Sequence, residues 1–238
     1  MGLDIYVGSL TRYHTGDWET VVQQAAQLMG LEVHTVRPPT AERPVTDTEA
    51  IREVVTLWMQ ALGKGIEPHL GGTPCAWEED PLSAYFTDKP AWDCFGSLLL
   101  WAAHAEHPEL EPAGAFVERW FEAPALVASN AEGFDSQFNQ LLRSGLELWL
   151  PVDFPFTFEA EDVTGRQIGI GSSPALRRQL EWLNQITWQA DEETIRGWRK
   201  HCPEHRSPVE EGARFAFEIL WRLSRHAVEE RLPMKLDH

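Results

Sequence analysis

The chain has 238 residues, with 37 Asp plus Glu against 20 Lys plus Arg, and therefore a formal charge of −17 with neutral histidines. That balance argues against a nucleic-acid partner, which needs a basic face. The 43% share of apolar residues excludes disorder throughout the chain.

The opening Met1-Gly2-Leu3-Asp4 has neither the basic region nor the apolar run of a signal peptide. The longest apolar stretch, Cys94 to Ala103, lies between Asp93 and His104. It falls well short of the ~18–20 residues of a membrane span. Cys75, Cys94 and Cys202 are widely spaced and form no C-x-x-C, which fits reduced thiols. The expectation is a cytoplasmic protein without membrane association.

Leu3, Ile5 and Val7 alternate, predicting a first strand that Leu10 to Tyr13 continues. Asp17 is the expected cap of a helix ending at Gly30, and a short strand at Leu31 to Val36 follows. Thr46-Asp47-Thr48-Glu49 has the form of a capping box ahead of a stripe of Ile51, Val54, Val55, Trp58 and Leu62. Residues 64–90 are rich in Gly, Pro and acids and predict a loop-rich insertion, with a brief helix near Leu82 to Phe86. A helix from Ala91 to Glu106 is apolar on most faces and must be covered. Two more are expected at Ala115 to Glu122 and Phe134 to Arg143, with breaks at Pro124 and at Asn130 to Gly133.

Strand patterns then return. Leu146, Leu148 and Leu150 alternate, as do Phe154, Phe156 and Phe158, and Gln167 to Ile170 completes a hairpin through Thr164-Gly165. Helices follow from Ser173 to Ala190, from Glu192 to Lys200, and after Ser207-Pro208-Val209-Glu210, limited by Pro233. These elements predict one α+β domain over residues 1–238. It is predominantly helical, with a small mixed or antiparallel sheet and helices packed against it; strands following one another without helices favour antiparallel neighbours.

Residues 67–135 contain 13 acids against only Lys89 and Arg119. Such a surface attracts a basic protein, although acidity also serves plain solubility. Trp77, Glu78, Glu79 and Asp80 form the candidate partner-binding segment. Among the 11 tryptophans, Trp18 and Trp77 are the ones beside acids and off the helical stripes, hence the surface candidates.

The turn Gly169-Ile170-Gly171-Ser172-Ser173-Pro174 sits between a strand and a helix, where backbone N–H groups can hold an anion. With Arg177 and Arg178 in the first turn, Gly169, Gly171, Ser172 and Ser173 form a candidate anion site. Ser173 capping the helix is the simpler reading, with an acid such as Glu159, Glu161 or Asp162 pairing the arginines.

His104 and His107, near Glu106, Glu109 and Glu111, offer zinc ligands on one face. Pro108 breaks the helix there, and histidines suit a helix C-terminus without a metal. His201, Cys202 and His205 are a second small cluster, interrupted by Pro203. Neither set completes a zinc motif, so no metal or other cofactor is expected. Ser9, His14 and Asp17 are close in sequence, which says little about a triad assembled in space.

No motif identifies a reaction. The expected function is a non-catalytic acidic interaction module for a basic protein partner, of immunity or inhibitor type. The alternative is an enzyme or small-ligand binder using the anion turn.

Overall fold

The computed structural model describes residues 3–31, 47–72, 74–110, 119–204 and 207–237. Its strands are β1 (Asp4–Val7), β2 (Phe86–Asp88), β3 (Leu146–Leu150), β4 (Phe158–Glu161), β5 (Gln167–Ser172) and β6 (Met234–Asp237). They form one mixed sheet in the order β2-β1-β6-β3-β5-β4. The helices are α1 (Leu10–Thr15), α2 (Val21–Leu28), α3 (Thr48–Ile66), α4 (Trp92–Glu106), α5 (Pro124–Glu132), α6 (Asn139–Leu142), α7 (Ser173–Ile186), α8 (Glu192–Gly197) and α9 (Val209–Glu229). The architecture is α+β and predominantly helical.

Helices cover both faces of the sheet. Leu3, Ile5 and Val7 join Trp149, Met234 and Leu236 in a core shared with α4, α7 and α9. Leu148, Leu150, Ile168 and Ile170 meet Leu10 of α1 and Val55 and Leu62 of α3 in a second core. Adjacent residues Leu148 and Trp149 belong to different cores because successive strand side chains point to opposite faces. The alternation of Leu146, Leu148 and Leu150 is broken by a register slip opposite Gly169 and Ile170, so Leu146 packs with Trp149 instead. Helix α4 is buried along most of its length against α9 and α5, as its uniformly apolar sequence demands.

Several elements differ from expectation. Leu10 to Tyr13 is helical: Ser9 Oγ accepts the Arg12 N–H at 3.2 Å, and Gly16, at φ 71°, provides the left-handed stop. Thr20, not Asp17, caps α2 through a capping box with Gln23, and Asp47 caps α3. Pro124 starts α5 as its first residue rather than breaking the chain. Phe134 to Arg143 yields only a short 3-10 turn and α6. Residues 82–86 do not form a helix, and Phe86 opens β2, which pairs antiparallel with β1. Phe154 and Phe156 lie outside β4, with their rings packed 4.9 Å apart. Ser172 rather than Ser173 caps α7, and α9 starts at Pro208 without a side-chain cap.

The β4–β5 hairpin forms, but β3 pairs parallel to β5, reached across the hairpin. The sheet is mixed, not antiparallel throughout. Strand β6, a four-residue run not expected from the sequence, inserts between β1 and β3. Residues 32–36 of the expected strand and the first half of the expected helix at Ala115 to Glu122 lie outside the described residues; Leu31 is not in a strand, and Trp120 to Glu122 form a 3-10 turn.

Candidate functional site

The acidic segment after Ala76 runs extended, and its alternation sorts the four residues by side. Trp77 and Glu79 are both 6% exposed, while Glu78 is exposed and Asp80 partly so. Trp77 is therefore not a surface tryptophan. Its indole Nε1 donates to Glu79 Oε1 at 2.7 Å, and its ring meets Trp58 edge-on at 6.3 Å. Trp18, the other surface candidate, is half-buried against Tyr6 and Tyr13.

Glu79 also accepts from the Leu10 N–H (3.2 Å), the Thr11 N–H (3.1 Å) and the Thr11 hydroxyl (3.1 Å). These are first-turn donors of α1, which have no partner inside their own helix. A carboxylate at a helix N-terminus also suits the helix dipole. Glu79 thus fixes the segment to α1, and Asp80 continues the order by accepting the Leu82 N–H at 2.8 Å. Between these anchors, Glu78 and Asp80 border a groove of about 480 Å³ shared with Glu230, Arg231 and Leu232 at the end of α9. Three carboxylates around one guanidinium leave this groove net acidic.

The strand-to-helix turn is occupied by its own chain. The Ser172 N–H donates to Gln140 Oε1 at 2.8 Å, Ser172 Oγ accepts from the Ala175 N–H, and Ser173 Oγ donates to the Trp149 carbonyl. Both serines are fully buried. Gly169 and Gly171 are explained by packing: a Cβ would lie 2.6 Å from the Gly145 carbonyl oxygen in the first case and 2.4 Å from Gln140 Oε1 in the second. Arg178 forms a two-pronged pair with Asp153. Arg177 pairs with Glu181, donates to the Trp221 carbonyl and stacks over the Trp221 ring. The arginines have the internal acid partners foreseen, but those are Asp153 and Glu181 rather than the hairpin acids. The Ser172 N–H, both serine hydroxyls and both arginines of the anion turn are thus hydrogen-bonded within the chain.

No side-chain hydrogen bond joins Ser9, His14 and Asp17 among the described residues, and Ser9 Oγ accepts the Arg12 N–H as the cap of α1. His14 is nevertheless unusual. Burial, reinforced by Lys235 and opposed by Asp162, pulls its pKa down to about 4. A histidine depressed in the folded state contributes stability that is complete above its unfolded pKa of ~6.5 and is lost as pH falls through the folded value. We expect the loss between pH 6.5 and 4 to approach ~3 kcal/mol for this group. Urea unfolding at pH 7 and pH 4.5 checks this: His14→Gln should reduce the difference between the two pH values.

The histidine clusters separate clearly. Cys202 is exposed and His205 lies outside the described residues, while His201 and Cys202 line a groove of about 530 Å³ with Glu204, Glu211 and Arg214. His107, in contrast, meets carboxylates from two helices. Its Nδ1 lies 3.5 Å from Glu109 Oε1, and its Nε2 lies 3.7 Å from Glu132 Oε1 and 4.0 Å from Glu106 Oε2. Glu111 lies outside the described residues. Glu132 was not legible as a neighbour because only the packing of α5 beside α4 brings it there.

A larger cavity of about 600 Å³ lies between the sheet and α4 and α5, walled mainly by apolar residues such as Trp92, Phe95, Trp120 and Leu126. Its charged residues are engaged elsewhere, Glu147 with Arg166 and Arg143 over the ring of Phe134. No protein-family model matches the chain, and neither a curated protein nor a solved structure matches it.

Proposed function

We propose that the protein is a non-catalytic docking module for a basic protein, of immunity or inhibitor type, and that Glu78, Asp80 and Glu230 receive a basic side chain in the groove they border. The supporting observation is the anchoring of Trp77 and Glu79. It holds Glu78 and Asp80 outward on an ordered segment, so little conformational freedom is lost when a partner binds. The surrounding excess of acid adds long-range attraction, which speeds encounter at low salt.

Glu79 takes no part in capture because its oxygens are saturated from within. The test is therefore the triple variant Glu78→Gln, Asp80→Asn, Glu230→Gln, in capture from lysate followed by affinity measurement on the protein recovered. At low salt we expect binding to weaken by ~10-fold or more and its salt dependence to flatten. A control with the same charge change on exposed positions elsewhere, Glu49→Gln, Glu53→Gln, Glu193→Gln, should bind as the parent chain does. Equal effects of the two triples would reduce the groove to general acidity and remove it as the docking site.

A further inference from the structure

We propose that Glu106, His107 and Glu132 form a binding site for a divalent transition metal, with zinc the best fit to the donor set. Helix α4 ends at Glu106, and His107 follows as its non-helical cap. Glu132 is the last residue of α5, turned off by Gly133 at φ 60°. Two helix C-termini therefore meet here, each carrying partial negative charge. Glu106, Glu109 and Glu132 add three carboxylates. Among the described residues none of the three is in an ion pair with Lys or Arg, and His107 is the partner of each. The cluster is short of positive charge.

The distances favour a shared ion over direct hydrogen bonding. His107 Nε2 is buried and has no hydrogen-bond partner, and its ring is 12% exposed. The 3.7 Å and 4.0 Å separations to Glu132 and Glu106 are too long for N–H···O hydrogen bonds. They are close to the ~3.4 Å edge of a tetrahedron whose metal–ligand bonds are ~2.1 Å. The candidate nitrogen and carboxylate oxygens all lie within 4.8 Å of one another.

The supporting contacts also suit a metal. Glu109 stands 3.5 Å from Nδ1, on the far side of the ring. A small movement of this exposed side chain would let it hold the Nδ1 proton and leave the Nε2 lone pair for a ligand bond, the usual arrangement around metal-bound histidine. The carboxylate of Glu106, 3% exposed, is fixed by the Ser136 hydroxyl at 3.0 Å and by the Gln137 N–H. One imidazole and two carboxylates match zinc or manganese better than the softer copper(I), and they leave a fourth position for water. Bound metal would tie the end of α4 to the end of α5.

The experiment uses the untagged full chain, stripped with a chelator and titrated with Zn²⁺ by calorimetry and with Co²⁺ by visible absorption. One equivalent should bind, and His107→Ala and Glu132→Gln should each weaken binding by at least ~10-fold, since even supporting residues of metal sites have effects of that size. Glu132 is exposed, so its amide variant should keep the parent melting temperature in the metal-free state and report on ligation alone. The double variant His201→Ala, Cys202→Ser should bind as the parent chain does. Absence of stoichiometric binding, unchanged affinity in either His107→Ala or Glu132→Gln, or loss of the metal with the His201 and Cys202 double variant would overturn the assignment.

Discussion

Replacing Glu79 by alanine should destabilise the protein by ~3–5 kcal/mol, because four buried neutral donors lose their acceptor at ~1–3 kcal/mol for each group left unsatisfied. The carboxylate accepts four hydrogen bonds at a buried position, from the Leu10 and Thr11 N–H groups, the Thr11 hydroxyl and the Trp77 indole. Alanine leaves these donors facing a void, and water has little access to replace them. Glu79→Gln preserves the volume but turns one acceptor oxygen into an NH2 group facing donors, so it should also be strongly destabilising. Urea denaturation monitored by tryptophan fluorescence measures both, with Trp77 reporting directly on the site. A change below ~1 kcal/mol in Glu79→Ala would contradict the hydrogen-bond network described. Glu78→Gln, one residue away on the exposed side, should stay within ~0.5 kcal/mol of the parent. Capture experiments must therefore leave Glu79 intact, since a loss of binding in a variant lacking it would report unfolding and not docking.

Asp88→Asn should have the next largest effect, ~2–4 kcal/mol. Asp88 is 3% exposed. It receives both Nε (3.2 Å) and an NH2 group (2.8 Å) of Arg199, a bond from Arg222, and the Lys89 N–H at 2.7 Å. The asparagine keeps the shape but leaves two partly buried guanidinium groups with Glu218 as the nearby acid. Glu218 binds Arg222 through one oxygen, its other oxygen is buried without a partner, and burial raises its pKa. The arginines keep some solvent contact, which places the expected loss below that of a wholly buried pair. Lys89→Met, which removes the more exposed pair with Asp4, should cost no more than ~1 kcal/mol. Comparable losses in the two variants would show that Asp88 does not organise the junction between β2 and α9.

These two acids show what local sequence could not reveal. Glu79 sits in a Glu-Glu-Asp run that resembles a solvated surface, and Asp88 lies in a segment rich in Gly and Pro. Both are defined by distant donors, α1 for one and Arg199 and Arg222 for the other. The period-two side assignment of Trp77 with Glu79 was present in the sequence, but nothing local indicated which side faced inward. Helices α3, α4 and α9 were legible because their apolar stripes are long, and the β4–β5 hairpin because its turn is marked by Thr164-Gly165.

Short elements set by tertiary contacts were not legible. Strand β6 has four residues and places Lys235 in the sheet opposite Tyr6 and Leu148, where its ammonium lies 5.3 Å from the Tyr13 ring centroid. Met234 and Leu236 do alternate with Lys235 and Asp237, but four residues are too short a run to stand out as a strand. The cluster around His107 was half visible: His107 and Glu106 are adjacent in sequence, whereas Glu132 depends on the return of the chain through α5.

The position of β6 also bears on the order in which the molecule can assemble. Among the described residues it follows the other five strands in sequence, yet it lies between β1 and β3 and joins β2-β1 to β3-β5-β4. During synthesis from the N-terminus, β1 and β3 lack this shared native neighbour until Met234 to Asp237 emerge. The edges left without it are open to pairing with other chains, which makes the final four-residue insertion the step most exposed to interception by aggregation or a chaperone.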